Sequence, residues 1–394
     1  MLHVSPFEFS LLGVFGLLPF ILFALPAGVW VDRLRRRPIL IAGDAARAVL
    51  LATIPLSYAL GVLTIWQLLA TSFVVGIFTV FFDVAYMSYV PALVGRADLV
   101  DGNSKLDLTV SVAQVAGPSV AGALIGAITA PYAVAVDAFS FVASAAFVFR
   151  MRHREAVPEP TGVEPKPAMV REVMEGLRFL LGHRWLRPIA ACTGSANFFI
   201  SLSFSIVLLY FTRDLHLSSL EVGAVFAVGS LGSVAAALVS SRLQRAIGVG
   251  RTIVLTPLLG IGLLAFPLAP HGFPIPFLML GEFLFGLNVV GYNVAQRSLR
   301  EAITPERLLG RVNAAMRWLV WGTMPLGTLA GGAIATAFSL RTALWVGGIG
   351  MFFPAIPVLL SSVRSIQEMP ELETNMQSDP TIIAPGPAAA GMDV

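Results

Sequence analysis

Long apolar runs broken by short polar connections dominate the chain, with most charges falling in the breaks. A helix crosses the hydrocarbon core of a bilayer with about 20 largely apolar residues. Eleven segments have that character, at 9–31, 38–60, 64–89, 105–128, 131–149, 187–211, 219–241, 251–269, 275–296, 313–337 and 342–363. The expected fold is an all-α polytopic membrane protein with eleven spans.

Charge along the connections gives these spans a direction. Arg33, Arg35, Arg36 and Arg37 follow the first span, Arg96 and Lys105 the third, and a basic stretch from Arg150 to Arg187 the fifth. Arg242, Arg245 and Arg251 follow the seventh, Arg297, Arg300, Arg307 and Arg311 the ninth, and Arg364 the last. The intervening connections hold only Arg213 and Arg341. Basic connections stay in the cytoplasm, so the expected orientation in the cell inner (plasma) membrane has the C-terminus inside and Met1 outside. An outside start with neither a cleavable leader nor a basic flank is a poor one for insertion. It leads to the expectation of a further helix upstream, through a start codon assigned too late, or else of a shortened variant.

Composition agrees and narrows the function classes. The chain is 56% hydrophobic and 12% charged, with a mean hydropathy of +0.81, where soluble domains carry about a quarter charged residues. Formal net charge is only +3 despite a pI near 9.3, so the basic residues mark one membrane side and no nucleic-acid partner is expected. One cysteine, Cys192, excludes an intrachain disulfide and a multi-cysteine metal site. No phosphate loop ending in Gly-Lys-Ser/Thr is present, which disfavours a primary pump. His3, His153, His183, His216 and His271 are scattered over termini, linker and loops, so neither an enzyme nor a metal or other cofactor is expected.

A basic, Pro-bearing segment divides the spans into a half of five (1–150) and a half of six (187–364), and the halves echo each other at a separation of 210 residues. Pro91 to Leu99 leads to Asn103 as Glu301 to Leu309 leads to Asn313, and Gly117 and Gly122 fall opposite Gly327 and Gly332. In the linker, 151–186, Val170, Val173, Met174, Leu177 and Leu181 share one helical face over 168–182, opposite Arg171, Glu172, Glu175 and Arg178. That pattern predicts an amphipathic helix on the cytoplasmic leaflet that tethers the halves. The tail, 365–394, loses periodicity and is expected to be disordered from 366.

The connection after the first span reads Gly28-Val29-Trp30-Val31-Asp32-Arg33-Leu34-Arg35-Arg36-Arg37. It resembles the signature loop between the second and third helices of major facilitator superfamily transporters. That superfamily is built from two parallel six-helix repeats with the substrate site between them. Here the resemblance spans about 5–363 and lacks the family's first helix, since Ser5 to Gly13 looks like the opening of its second. Leu18-Pro19-Phe20, Asp44 with Arg47, and the Pro91-to-Asn103 segment make the chain similar to the enterobactin-exporter and drug-efflux branch. The resemblance implies a monomeric, proton-driven exporter of an amphipathic small molecule such as a drug, siderophore or secondary metabolite.

It also implies roles for residues. Gly28, Asp32, Arg33 and Arg37 would help hold the outward-open state, a carboxylate at a helix end being able to pair with arginines or a neighbouring helix N-terminus. A basic turn that only fixes topology accounts for Arg35 and Arg36 but leaves Asp32 without a role. Gly117, Pro118 and Gly122 resemble the Gly-Pro motif of drug:proton antiporters, with Ala121 where a second glycine is usual. Simple helix packing through small residues is the alternative.

Charges within spans persist mainly where they are paired or working. Asp44 and Arg47 are three apart on one face, as an ion pair requires, and Asp83 is placed to join them in a charge network. Asp137 and Glu282 have no partner in their own helices and are candidates for carrying protons or meeting a cationic substrate. Asn197, Asn288, Tyr86, Phe198, Trp318 and Trp321 are candidates for a polar and aromatic cavity. A nontransporting scaffold, an inactive truncated transporter and an uptake facilitator are the alternative functions.

Overall fold

A computed structural model describes residues 4–94, 99–151 and 168–369, and among these the regular structure is helical throughout. Each segment expected to span falls on a helical element. The first half contains α1 (Pro6–Arg33), α2 (Arg36–Ala59), α3 (Ile65–Val94), α4 (Leu99–Ile128) and α5 (Ala130–Arg150). After the linker helix α6 (Ala168–Gly182), the second half contains α7 (Leu186–Leu209), α8 (Ser219–Ile247), α9 (Val249–Leu258), α10 (Ala265–Leu268), α11 (Ile275–Ile303), α12 (Glu306–Ala337), α13 (Leu340–Gly350) and α14 (Ala355–Leu359). Among the described residues nine helical stretches are long and apolar enough to cross a membrane. The expected spans 105–128 and 313–337 lie in α4 and α12, which are not among those nine. Large apolar side chains such as Phe139, Phe147, Leu238 and Trp66 stand on the outside, as suits a surface solvated by lipid.

The halves share a plan. Ser5 and Glu8 cap α1 reciprocally: the Ser5 amide donates to the Glu8 carboxylate (2.8 Å) and the Glu8 amide to Ser5 Oγ (3.2 Å). Ser218 and Glu221 do the same for α8, at 2.7 and 3.3 Å. Gly76 of α3 lies against the Gly16 carbonyl of α1, and Gly286 of α11 against the Gly229 carbonyl of α8. So α1 corresponds to α8 and α3 to α11, and α7 is left without a counterpart among the described residues. In the second half α7 packs on α12, where Gly327 meets the Phe198 carbonyl. At the equivalent Gly117 of α4 an added Cβ would meet nothing within 4 Å.

Contacts between the halves run through α1 with α12 and α7, and α4 with α8. The tight ones gather at the end away from the basic connections. Gly332 abuts Ser10, a Cβ on Gly13 would lie 3.3 Å from Thr328 Cγ2, and one on Gly122 would lie 2.9 Å from Gly223 Cα and Ser219 O. The Phe7 amide donates to Thr336 Oγ1 (3.0 Å) and Arg213 to the Val4 carbonyl (3.0 Å). Arg341 donates to the Pro267 carbonyl at 2.8 Å, so the two arginines that break the charge alternation both serve backbone acceptors.

Two features at the basic end add to the sequence reading. Of the predicted apolar face of α6, Met174 and Leu181 are exposed and Leu177 is half-buried, while Val170 and Val173 have side chains outside the described set. Outside that face Gly176 sits on the Arg311 backbone, Leu180 enters the second half's core and Glu175 accepts from Arg311 at 2.6 Å. The helix docks on α12 because Gly176 allows backbone contact there, so it rests on protein as well as on any leaflet. The start of the tail, expected to be disordered from 366, packs on the second half. Ile366 is buried, and the carbonyls of Ile366 and Gln367 accept from the Gly250 and Val249 amides at 2.9 and 3.3 Å, satisfying donors that a helix N-terminus leaves open. Residues 1–3, 95–98, 152–167 and 370–394, covering part of the Pro91-to-Asn103 repeat, part of the linker and the rest of the tail, lie outside the described residues.

The Gly117 and Gly327 environments make a paired prediction. Gly327→Val forces a side chain onto the Phe198 backbone and destabilises the purified protein by about 1–3 kcal/mol, while Gly117→Val leaves thermal stability unchanged. Fluorescence-detected thermal denaturation of both variants reads the difference.

Candidate functional site

The signature connection folds as a turn of two residues, Leu34 and Arg35, between α1 and α2. Gly28 is half-buried inside α1, and the side chains of Asp32 and Arg33 lie outside the described set. Arg37 donates from Nη2 to the Phe149 carbonyl (2.6 Å) and from Nε to the Val148 carbonyl (3.3 Å). It therefore holds the end of α5, where a cation meets the negative end of the helix dipole, within its own half.

Two turns or more further along, α2 carries the ion pair of Asp44 and Arg47, both almost wholly buried. The Arg47 guanidinium also donates to the Gly43 carbonyl (3.3 Å) and lies between the rings of Phe82 and Phe141, 4.3 and 4.5 Å from their centroids. Stacking on two aromatic faces suits a planar, delocalised cation. Asp83 and Asp137, on α3 and α5, lie within its electrostatic range. The structure thus brings Asp44, Arg47 and Asp83 together as expected and adds Asp137, which sequence alone set apart. Arg317 of α12 is a second cation in reach of Asp83, missed because it belongs to the other half. Its guanidinium lies 5.7 Å from the Trp321 ring, and Trp321 packs edge-on against Phe20 of α1 at 5.0 Å. Trp321 is therefore placed at the seam between the halves.

Glu282 has a different setting. It projects from α11 against α8, is 4% exposed, and Oε1 has no hydrogen-bond partner. Gly229 makes room for it, since a Cβ there would lie 2.7 Å from Oε2. No described cation pairs with it. The remaining polar candidates serve the helix bundle: Asn288 donates to the Thr256 carbonyl on α9 (2.8 Å) and Asn197 to the Thr193 carbonyl one turn back (2.8 Å). Phe198 packs edge-on against Phe199, Tyr86 stacks on Phe82, and Trp318 is exposed. In the Gly-Pro motif Gly122 forms the α4–α8 contact, Gly117 stands open, and the Pro118 side chain lies outside the described set. Among the described residues no group of three His, Cys, Asp or Glu could hold a metal.

Two helical halves in this arrangement define a transporter of the major facilitator superfamily. Residues 1–386 match the model of its transmembrane secretion effector family, to which the chain belongs. It is 26% identical over 374 residues to the multidrug efflux pump Tap of Mycolicibacterium fortuitum, covering 89% of this chain and 88% of that one. It is 25% identical over 320 residues to the enterobactin exporter EntS of Escherichia coli O6:K15:H31, covering 77% and 69%. In fold it is similar to the nucleoside transporter NupG, with a TM-score of 0.69 at 10% identity over 90% of this chain and 89% of that one. A bacterial homologue of ferroportin in an inward-facing state gives 0.65 at 16% identity, covering 90% of each chain.

The pairing of Asp44 with Arg47 is testable on its own. Asp44→Asn leaves the guanidinium buried without its counter-charge and destabilises by about 3–5 kcal/mol. Arg47→Met with Asp44→Asn recovers part of that loss, which a double-mutant cycle of thermal stabilities measures.

Proposed function

We propose that this protein is a secondary active exporter that moves an amphipathic small molecule by alternating access between its halves, driven by the proton gradient. The observation that carries the reading is the clustering of tight contacts between halves at the end away from the basic connections. With those connections cytoplasmic, this is an inward-facing state, sealed outside and ready to load. In this reading the spans of the chain run with the C-terminus cytoplasmic, and the unit of transport is a monomer. Similarity to an enterobactin exporter and a multidrug efflux pump favours export.

Proton coupling is assigned to Glu282. A carboxylate held in a span without a cationic partner persists mainly where it works, and separation of α8 from α11 would open Glu282 to water and to proton exchange. The Arg47 cluster, with Asp137 and Asp83 at its margin, is the secondary candidate, and Asp32 with Arg33 keeps its expected gating role. A second reading, a nontransporting membrane scaffold, is favoured by the unpacked surface at Gly117.

Everted membrane vesicles test these readings with rhodamine 6G as the probe. Energised vesicles carrying the protein accumulate the dye above vesicles without it, and a proton uncoupler abolishes the difference. Dye loss instead of accumulation identifies uptake, and no difference supports the scaffold. Glu282→Gln lowers gradient-driven accumulation at least tenfold, whereas an unchanged rate removes Glu282 from the coupling scheme.

A further inference from the structure

The shared plan of the halves departs at α3 and α11, and the difference leaves a cavity. In the second half Gly281 and Glu282 close α11 onto its neighbours: a Cβ on Gly281 would lie 2.7 Å from the Gly262 carbonyl, and Glu282 fills the wedge beside Gly229. In the first half the positions 210 residues earlier are Thr71 and Ser72. Ser72 Oγ donates to the Leu12 carbonyl of α1 (3.2 Å), a shorter reach than that of a glutamate. Thr71 has a side chain where Gly281 has none. Backbone contact of the kind between Gly281 and Gly262 is therefore blocked, and a cavity of about 430 Å³ opens between α1, α2 and α3.

Its lining has a definite chemistry. Leu12, Phe20, Leu51, Ile54, Leu68 and Val75 supply apolar walls, and no charged side chain reaches it. Three hydroxyls line it, and two are spent: Ser72 on Leu12, and Thr79 on the Val75 carbonyl at 2.9 Å. Thr71 is 6% exposed, and among the described residues its hydroxyl has no hydrogen-bond partner, whereas helical threonines such as Thr193 and Thr252 donate to the carbonyl one turn back. Its Oγ1 is open to the cavity and so presents a donor and an acceptor among apolar walls. Concave apolar sites of this size with few polar groups are typical of small-molecule binding.

We propose that the α1–α2–α3 cavity is a binding site for an uncharged, predominantly apolar small molecule whose single polar group hydrogen-bonds to Thr71. The site lies within one half, away from Glu282, and its occupation does not depend on the transport reading. Phe20, which forms one wall, also packs on Trp321 across the seam, so occupancy bears on contact between the halves.

Benzophenone tests this directly, as an uncharged diaryl ketone that accepts a hydrogen bond at its carbonyl and couples to nearby C–H groups under illumination. The protein in lipid nanodiscs is illuminated with increasing benzophenone and the adducts are located by peptide mass spectrometry. Saturable labelling of the α1, α2 and α3 peptides is expected. It falls at least threefold in the near-isosteric Thr71→Val and is abolished in Val75→Trp, which fills the chamber, with monodispersity confirming that both fold. Unsaturable labelling, as for a cavity already filled by acyl chains, overturns the proposal. So does adduct spread evenly over the lipid-facing surface, or equal labelling of Thr71→Val and the parent.

Discussion

Close backbone contact at glycine is the interaction on which this structure depends. Lipid gives helices no hydrophobic reason to associate, so packing and interhelical hydrogen bonds hold them together. Gly76 on Gly16 and Gly286 on Gly229 make the same joint in each half, and Gly327 on Phe198 ties α7 to α12. Gly332 on Ser10 and Gly122 on Gly223 then join the halves to each other. The within-half joints define two rigid units, and the joints between them lie at one end, which is the arrangement that rocking between access states requires.

Charge is distributed less evenly than backbone contact. The first half gathers its intramembrane charges around Arg47, whose guanidinium is neutralised by Asp44 and flanked by two aromatic rings. The second half buries Glu282 without a described cationic partner, with Arg300 buried separately towards the end of α11. A neutralised pair is costly to disturb and suits a structural hub, while a solitary carboxylate can exchange a proton with little rearrangement. The two halves are thus alike in architecture and unlike in chemistry, and Gly281 and Glu282 opposite Thr71 and Ser72 are one place where the difference is plain.

Much of this was legible in the sequence because hydrophobic length and glycine spacing are local properties. Every expected span met a helix, and the opposition of Gly117 and Gly122 to Gly327 and Gly332 identified α4 with α12. The match of α1 to α8 was hidden because its separation is 213 residues, seen in Ser5 with Ser218 and Gly16 with Gly229, so a comparison at 210 misses it. Asp137 stood apart in the sequence because its link to Arg47 runs through packing of α5 on α2. The hydrogen bonds of Arg37 to Val148 and Phe149 were not legible because they depend on where α5 ends. The docking of α6 escaped for a related reason, since periodicity marks an apolar face without saying whether lipid or protein will cover it.

The central claim is that the seal between the halves opens during transport. With Cys192→Ser as background, Gly13→Cys and Thr328→Cys place two thiols across that seal, where a Cβ on Gly13 already lies 3.3 Å from Thr328 Cγ2, within the span of a disulfide. The account predicts that oxidation forms this bond readily, stops dye accumulation in energised vesicles, and that reduction restores it. Full transport with the bond in place would contradict the account.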